Sequence, residues 1–117
     1  MSLALIAVAL AYAFDFANGF HDTANAVATN IYTKAMKARY AIIMSGLLNF
    51  LGAVVVGTAV AVIITEIVLA DVVTMKLILA ALMGGLMWNL GTWYYGLPVS
   101  SSHTLVGSLV GAGVAAS

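Results

Sequence analysis

The chain has no cysteine, a single proline, and only four basic and four acidic residues among 117. Without Cys there are no disulfides and no thiolate metal sites. Charged residues make up 7% of the sequence, against roughly 25% in an ordinary soluble domain. A formal net charge of zero gives nucleic acid or any other polyanion nothing to hold. No Lys or Arg precedes the apolar run that starts at Leu3, so the basic n-region of a secretory signal is missing and the segment reads as a retained helix. Nor is there a nucleophile and base at a recognisable spacing. His21 and Asp22 are adjacent in sequence and diverge by about 100° on a helix, so an enzyme is not expected. What is there is hydrocarbon: 64% hydrophobic residues and a mean hydropathy of +1.13. Such a chain belongs in a bilayer.

Four apolar stretches are separated by polar punctuation: Leu3 to Phe14, Tyr40 to Thr65, about Leu77 to Tyr95, and Leu105 to Ala116. Crossing a hydrocarbon core takes about 20 helical residues, and the two middle stretches reach that length. The outer two are too short alone. The first continues through polar residues into Ala24 to Tyr32, giving a helix over about 2–32. The second and third predict spanning helices over about 40–65 and 76–95. For the last, Gly96-Leu97-Pro98 ahead of three serines predicts a half-helix or re-entrant hairpin over about 101–116. Lys34, Lys37 and Arg39 put the 33–39 loop in the cytoplasm and the N-terminus outside. Trp88, Trp93, Tyr94 and Tyr95 at the end of the third helix suit the headgroup level.

At 100° per residue, Asp15, Asn18, Asp22, Asn25 and Thr29 fall within an arc of about 80° if the first segment is helical throughout. They form one polar stripe. Two intramembrane carboxylates cost roughly 5 to 7 kcal/mol on insertion scales, and no Lys or Arg lies within the apolar segments to pair with them. Carboxylate, amide and hydroxyl oxygens on one face suit a hard cation such as Na⁺, or a proton held by Asp15 or Asp22. The alternative is a break at Asn18-Gly19, with Asp22 capping a second short helix. A break would also free carbonyls for a cation. His21 lies about 40° off the stripe and either shuttles protons or is a packed, hydrogen-bonded residue.

Ser100, Ser101, Ser102, His103 and Thr104 supply hydroxyl and imidazole donors where a helix opens with free N–H groups. Such an end suits a phosphate-sized oxyanion. The plainer reading is that Ser100 or Ser101 caps the helix. Gly107 and Gly111 lie four apart, a spacing that lets another helix approach. Asn49 and Asn89, alone in apolar helices, read as hydrogen bonds across helix interfaces.

The stretches from Asn18 to Thr29 and from Gly96 to Gly113 together resemble the inorganic phosphate transporter (Pit) family. Its D-x-A-N-A element is similar to Asp22-Thr23-Ala24-Asn25-Ala26, and its Pro-hydrophobic-Ser-x-Ser/Thr-His element to Pro98-Val99-Ser100-Ser101-Ser102-His103. The segments starting at Asn49 and at Trp88 also look like the bacterial low-affinity branch. The resemblance implies a secondary transporter of two inverted-topology repeats that moves phosphate with Na⁺ or H⁺, in that branch sometimes as a neutral metal-phosphate complex. It also implies that Asp22 and Asn25 lie in the ion and phosphate site and that Ser100 to Thr104 contact phosphate. Asn49 falls where other branches can carry a Glu. One copy of each motif implies the first repeat only, a fragment of a longer chain, with a dual-orientation homodimer as the alternative.

The expectation is therefore an all-α, polytopic membrane protein: half of an inverted-repeat secondary transporter, with a broken first helix and a half-helix or hairpin at the C-terminus. Its function would be cation-coupled phosphate symport across the cytoplasmic membrane, with a passive anion channel or a structural membrane subunit as the alternatives. No resident cofactor is expected, because H⁺ or Na⁺, and a divalent metal bound to phosphate, would be cargo.

Overall fold

The structure, a computed structural model, describes residues 2–57, 59, 62–63, 66 and 70–117. Its helices are α1 (Leu3–Tyr32), α2 (Ala38–Val56), α3 (Met75–Tyr94) and α4 (Ser101–Ala116), with a 3-10 turn at Ala70–Val72 ahead of α3. No strand occurs among the described residues, and α1, α2 and α3 are each long and apolar enough to cross a membrane. The protein is an all-α, polytopic membrane protein.

The expected break in the first helix is absent. α1 is one helix of 30 residues running through Asn18 and Gly19, so Asp22 lies in a helix interior and caps nothing. The cap is Ser2, whose side chain accepts from the Leu5 N–H. A mid-helix Gly costs only about 1 kcal/mol. No proline interrupts α1, and Ala7, Phe14, Ala17 and His21 are buried along one side. That packing outweighs the local turn signal.

A Cβ built at Gly19 meets nothing within 4 Å. Gly19→Ala should therefore keep the fold and gain up to about 1 kcal/mol from the lower entropy of the unfolded chain. Thermal unfolding in detergent checks this, and a lowered midpoint would mean that the helix needs its glycine.

The second helix also differs from expectation, ending at Val56 rather than near residue 65. There Gly57 takes φ 76° and ψ −152°, a conformation open to a residue without Cβ. Beyond it Ala59, Val62 and Ile63 are helical, and the rest of the expected span, residues 58, 60, 61, 64 and 65, lies outside the described residues.

α3 is the central element, with α1 on one side and α4 on another, while α2 packs on α1. Its buried residues Leu77, Ala81, Gly85, Asn89 and Thr92 recur every three or four positions, so they form one face. Phe14 lies against Gly85, His21 against Asn89, and Phe20 edge-on to Trp93 at 5.1 Å between ring centroids. Numbers rise together on both helices, so α1 and α3 run parallel.

Where α3 ends, Gly96 at φ 69° makes a left-handed cap. Its N–H donates to Trp93 O and the Leu97 N–H to Thr92 O, the paired bonds of a Schellman motif. The chain then reverses through Pro98, and α4 returns antiparallel to α3, with Ser108 beside Gly84 and Gly85. Within this sequence α4 covers 16 residues, Ser101–Ala116, about 24 Å of helix.

Most large apolar side chains face outward, Phe16 and Val55 among them. Water would not tolerate that surface, but lipid tails are as apolar as the side chains themselves. Helix association then rests on close packing, which explains why the buried positions of α1 and α3 include Ala7, Ala17, Ala81 and Gly85.

Candidate functional site

The two polar motifs meet. Ser101 Oγ donates to Asp22 Oδ2 at 3.4 Å, a contact between residues 79 apart in sequence, and both are half-buried. Asp22 reaches it from the third quarter of α1, and Ser101 is the first residue of α4.

The first turn of α4 explains the rest of the serine segment. Ser100 is the N-cap, its Oγ accepting from the His103 N–H at 3.4 Å, so the capping reading holds for Ser100. Its carbonyl accepts from both the N–H and the Oγ1–H of Thr104. The N–H groups of Ser101 and Ser102 are left as the free donors of a helix start. A helix turns 100° per residue, so the five side chains do not converge. Ser101 points to Asp22, while Ser100, His103 and Thr104 line a cleft of about 500 Å³ between α3 and α4, together with Gly84, Trp88 and Ser108. Ser102 is exposed.

Along α1 the stripe is present, but only Asp22 touches the serine turn. The side chains of Asp15, Asn25 and Thr29 are exposed, with no hydrogen bond to other described residues. Asn18 is half-buried, and its Oδ1 is buried without a partner. At i−4 and i+3 from Asp22, Asn18 and Asn25 flank it on the same helix face. The three residues can offer oxygen ligands to one small cation. Among the described residues there is no group of three or more His, Asp or Glu able to hold a metal ion.

His21 is a packed, hydrogen-bonded residue, only 4% exposed. Its Nε2–H donates to Leu97 O at 3.0 Å, and its Nδ1 lies 2.9 Å from Asn89 Oδ1. Asn89 thus joins two helices, as a lone amide in an apolar helix suggests. Asn49 does not: its Nδ2 donates to Ser45 O, one turn back on α2, at 3.0 Å. The carbonyl four residues earlier is always within reach of a short polar side chain on a helix, so a partner on another helix is not needed. The link from His21 to the α3–α4 turn is the part that sequence reading missed. Its one signal was that His21 and Asn89 are both isolated polar residues in apolar helices, and pairing them requires the register of α1 on α3.

Residues 18–117, which contain both motifs, match the phosphate transporter family. Similar proteins include a probable low-affinity inorganic phosphate transporter of Bacillus subtilis, 51% identical over 97% of this chain and 35% of its own length. Another of that name from Mycobacterium leprae is 48% identical over 97% of this chain and 28% of its own. The low-affinity inorganic phosphate transporter PitA of Escherichia coli is 44% identical over 96% of this chain and 24% of its own. The chain thus spans about a quarter to a third of the length of these relatives. No solved structure matches it. These relatives are named as transporters and not as enzymes. Because the match takes in both the Asp22 and the serine elements and all but the first 17 residues, the chain belongs to the phosphate transporter family.

Proposed function

We propose that this chain is one repeat of a cation-coupled inorganic phosphate symporter of the plasma membrane. It would move phosphate, or a neutral metal-phosphate complex, together with H⁺ or Na⁺. The relatives' names support phosphate as the anion. The observation that carries the coupling is the contact of Asp22 with Ser101 at the start of α4.

The start of a helix attracts anions through its dipole and its free N–H groups. Here it already faces a carboxylate. Phosphate arriving at the N–H groups of Ser101 and Ser102 meets the Asp22 charge at close range, where a low dielectric strengthens repulsion. Neither α1 nor α4, the two helices that form the contact, carries a Lys or Arg to offset it; Arg39 and Lys76 lie in the first turns of α2 and α3. A cation held by Asp22, Asn18 and Asn25, or a proton on Asp22, removes the repulsion and makes binding of anion and cation mutually dependent. The membrane potential adds to this, since each net negative charge moved inward costs about 2.3 kcal/mol at 100 mV, inside negative.

The basic 33–39 loop faces the cytoplasm in this reading, the N-terminus lies outside, and a second inverted repeat from the same or another chain completes the site. The test is reconstitution of the natural full-length polypeptide in proteoliposomes. Under an inward H⁺ or Na⁺ gradient, labelled phosphate accumulates above its external concentration, and an ionophore for that ion abolishes the accumulation. Phosphate that only equilibrates would mark a passive channel, and no flux at all a structural subunit.

A further inference from the structure

The turn between α3 and α4 must bring the serine helix to Asp22, yet it contains Pro98, which donates no backbone hydrogen bond, and Gly96 at φ 69°. Among the described residues, two hydrogen bonds tie this turn and the start of α4 to α1. One is Ser101 to Asp22, at the site itself. The other is His21 Nε2–H to Leu97 O, one residue away from Asp22 on α1 and three residues ahead of the cap Ser100.

The chemistry of the ring fixes its orientation. Leu97 O can only accept, so Nε2 carries the hydrogen. Nδ1 faces the Asn89 amide, which has its Nδ2 buried without a partner. Rotating that amide by half a turn, a choice between nearly isosteric atoms, makes Nδ2 donate to Nδ1. It pairs the orphaned donor and puts the amide oxygen in the unpartnered position. His21 then accepts from α3 on one side and donates to the turn on the other.

We propose that His21 is a positioning residue for phosphate: through Leu97 O it sets the start of α4 against Asp22, and through Asn89 it is itself held on α3. The proposal rests on the symport reading above. Its side chain touches neither anion nor cation, since both of its nitrogens are taken up by Leu97 and Asn89. Freed from it, the Leu97–Ser100 segment keeps its Leu97 N–H bond to Thr92 O on α3, and among the described residues the one hydrogen bond left between this region and α1 is that of Ser101 with Asp22. The free N–H groups of Ser101 and Ser102 then lose their alignment with the anion.

Two near-isosteric substitutions separate this role from simple helix packing. Gln places an N–H about where Nε2 is and can keep the bond to Leu97 O, while Asn places its amide about where Nδ1 is and can keep only the contact with Asn89. In proteoliposomes of the natural full-length polypeptide, His21→Asn and His21→Ala should raise the phosphate KM about tenfold or more with little change in maximal rate. His21→Gln should stay within about threefold of the unaltered protein. Rescue by Asn as good as that by Gln, or an unchanged KM in a folded His21→Ala, overturns the proposal. If His21→Ala does not fold, the Gln and Asn pair decides alone. Absence of phosphate accumulation by the unaltered protein would instead count against the symport reading.

Discussion

Asp22→Asn, made in the natural full-length polypeptide, abolishes gradient-driven uptake of phosphate in proteoliposomes, with a loss of about a hundredfold or more. The substitution isolates charge from shape. An Asn side chain has nearly the volume of Asp, and its Oδ1 still accepts the Ser101 hydroxyl bond, so α1 and the start of α4 stay tied as they are at 3.4 Å. What disappears is the negative charge that binds a cation or takes up a proton. If coupling arises from repulsion between Asp22 and phosphate, the variant loses the cation site while the helix start can still take an anion. Phosphate binding without accumulation is therefore the expected signature, measured as retained binding in detergent beside lost uptake. Uptake at the unaltered rate would show that the carboxylate has no part in coupling.

Gly85→Leu should be the most damaging single change to the fold. Three helices meet at this residue: a Cβ built on Gly85 lies 3.1 Å from Phe14 Cε2 of α1 and 3.2 Å from Ser108 Oγ of α4. Leu adds three further carbons to a space that is already too small for one. Phe14 is itself buried and Ser108 is bonded to Thr104 O and Leu105 O, so neither gives way freely. Overpacking of this kind costs about 1–3 kcal/mol. Relief by moving α4 away from α3 would also part Ser101 from Asp22. The midpoint of thermal unfolding in detergent should fall clearly, and uptake with it. Gly84→Ala is the control, because its Cβ would meet Ser108 Cβ at 3.7 Å, an ordinary contact. Equal midpoints for the two variants would show that the junction is looser than this geometry.

Helical periodicity carries far in a chain like this one. The common face of Asp15, Asn18, Asp22, Asn25 and Thr29 follows from 100° per residue, and the start of α4 at Ser101 follows from a turn of Gly, Leu and Pro ahead of serines. The local signals that misled were glycines. Asn18-Gly19 looks like a turn, but with Phe14 and His21 packed on α3 the chain stays helical through it. Gly57 gives no signal inside an apolar run, yet the helix stops before it, at a backbone conformation with φ 76° that an L side chain rarely adopts. The contacts of Asp22 with Ser101 and of His21 with Asn89 were illegible for another reason. Each depends on the axial register of α1 on α3, which a hydrophobic pattern leaves free to slide.

The continuity of α1 bears on how such a molecule can move. Sharp bends in helices come from proline, paired small residues or inserted water, and α1 runs without a break from Leu3 to Tyr32. It behaves as a stiff lever about 45 Å long, with Asp22 about two-thirds of the way along it. Pivoting at Asp22 by about 5° swings the Leu3 end by about 2.5 Å and the Tyr32 end by about 1.3 Å in the opposite sense. If an ion binds at Asp22, as proposed above, a small adjustment there would reach both ends of α1 at once and in opposite senses, with no hinge inside the helix.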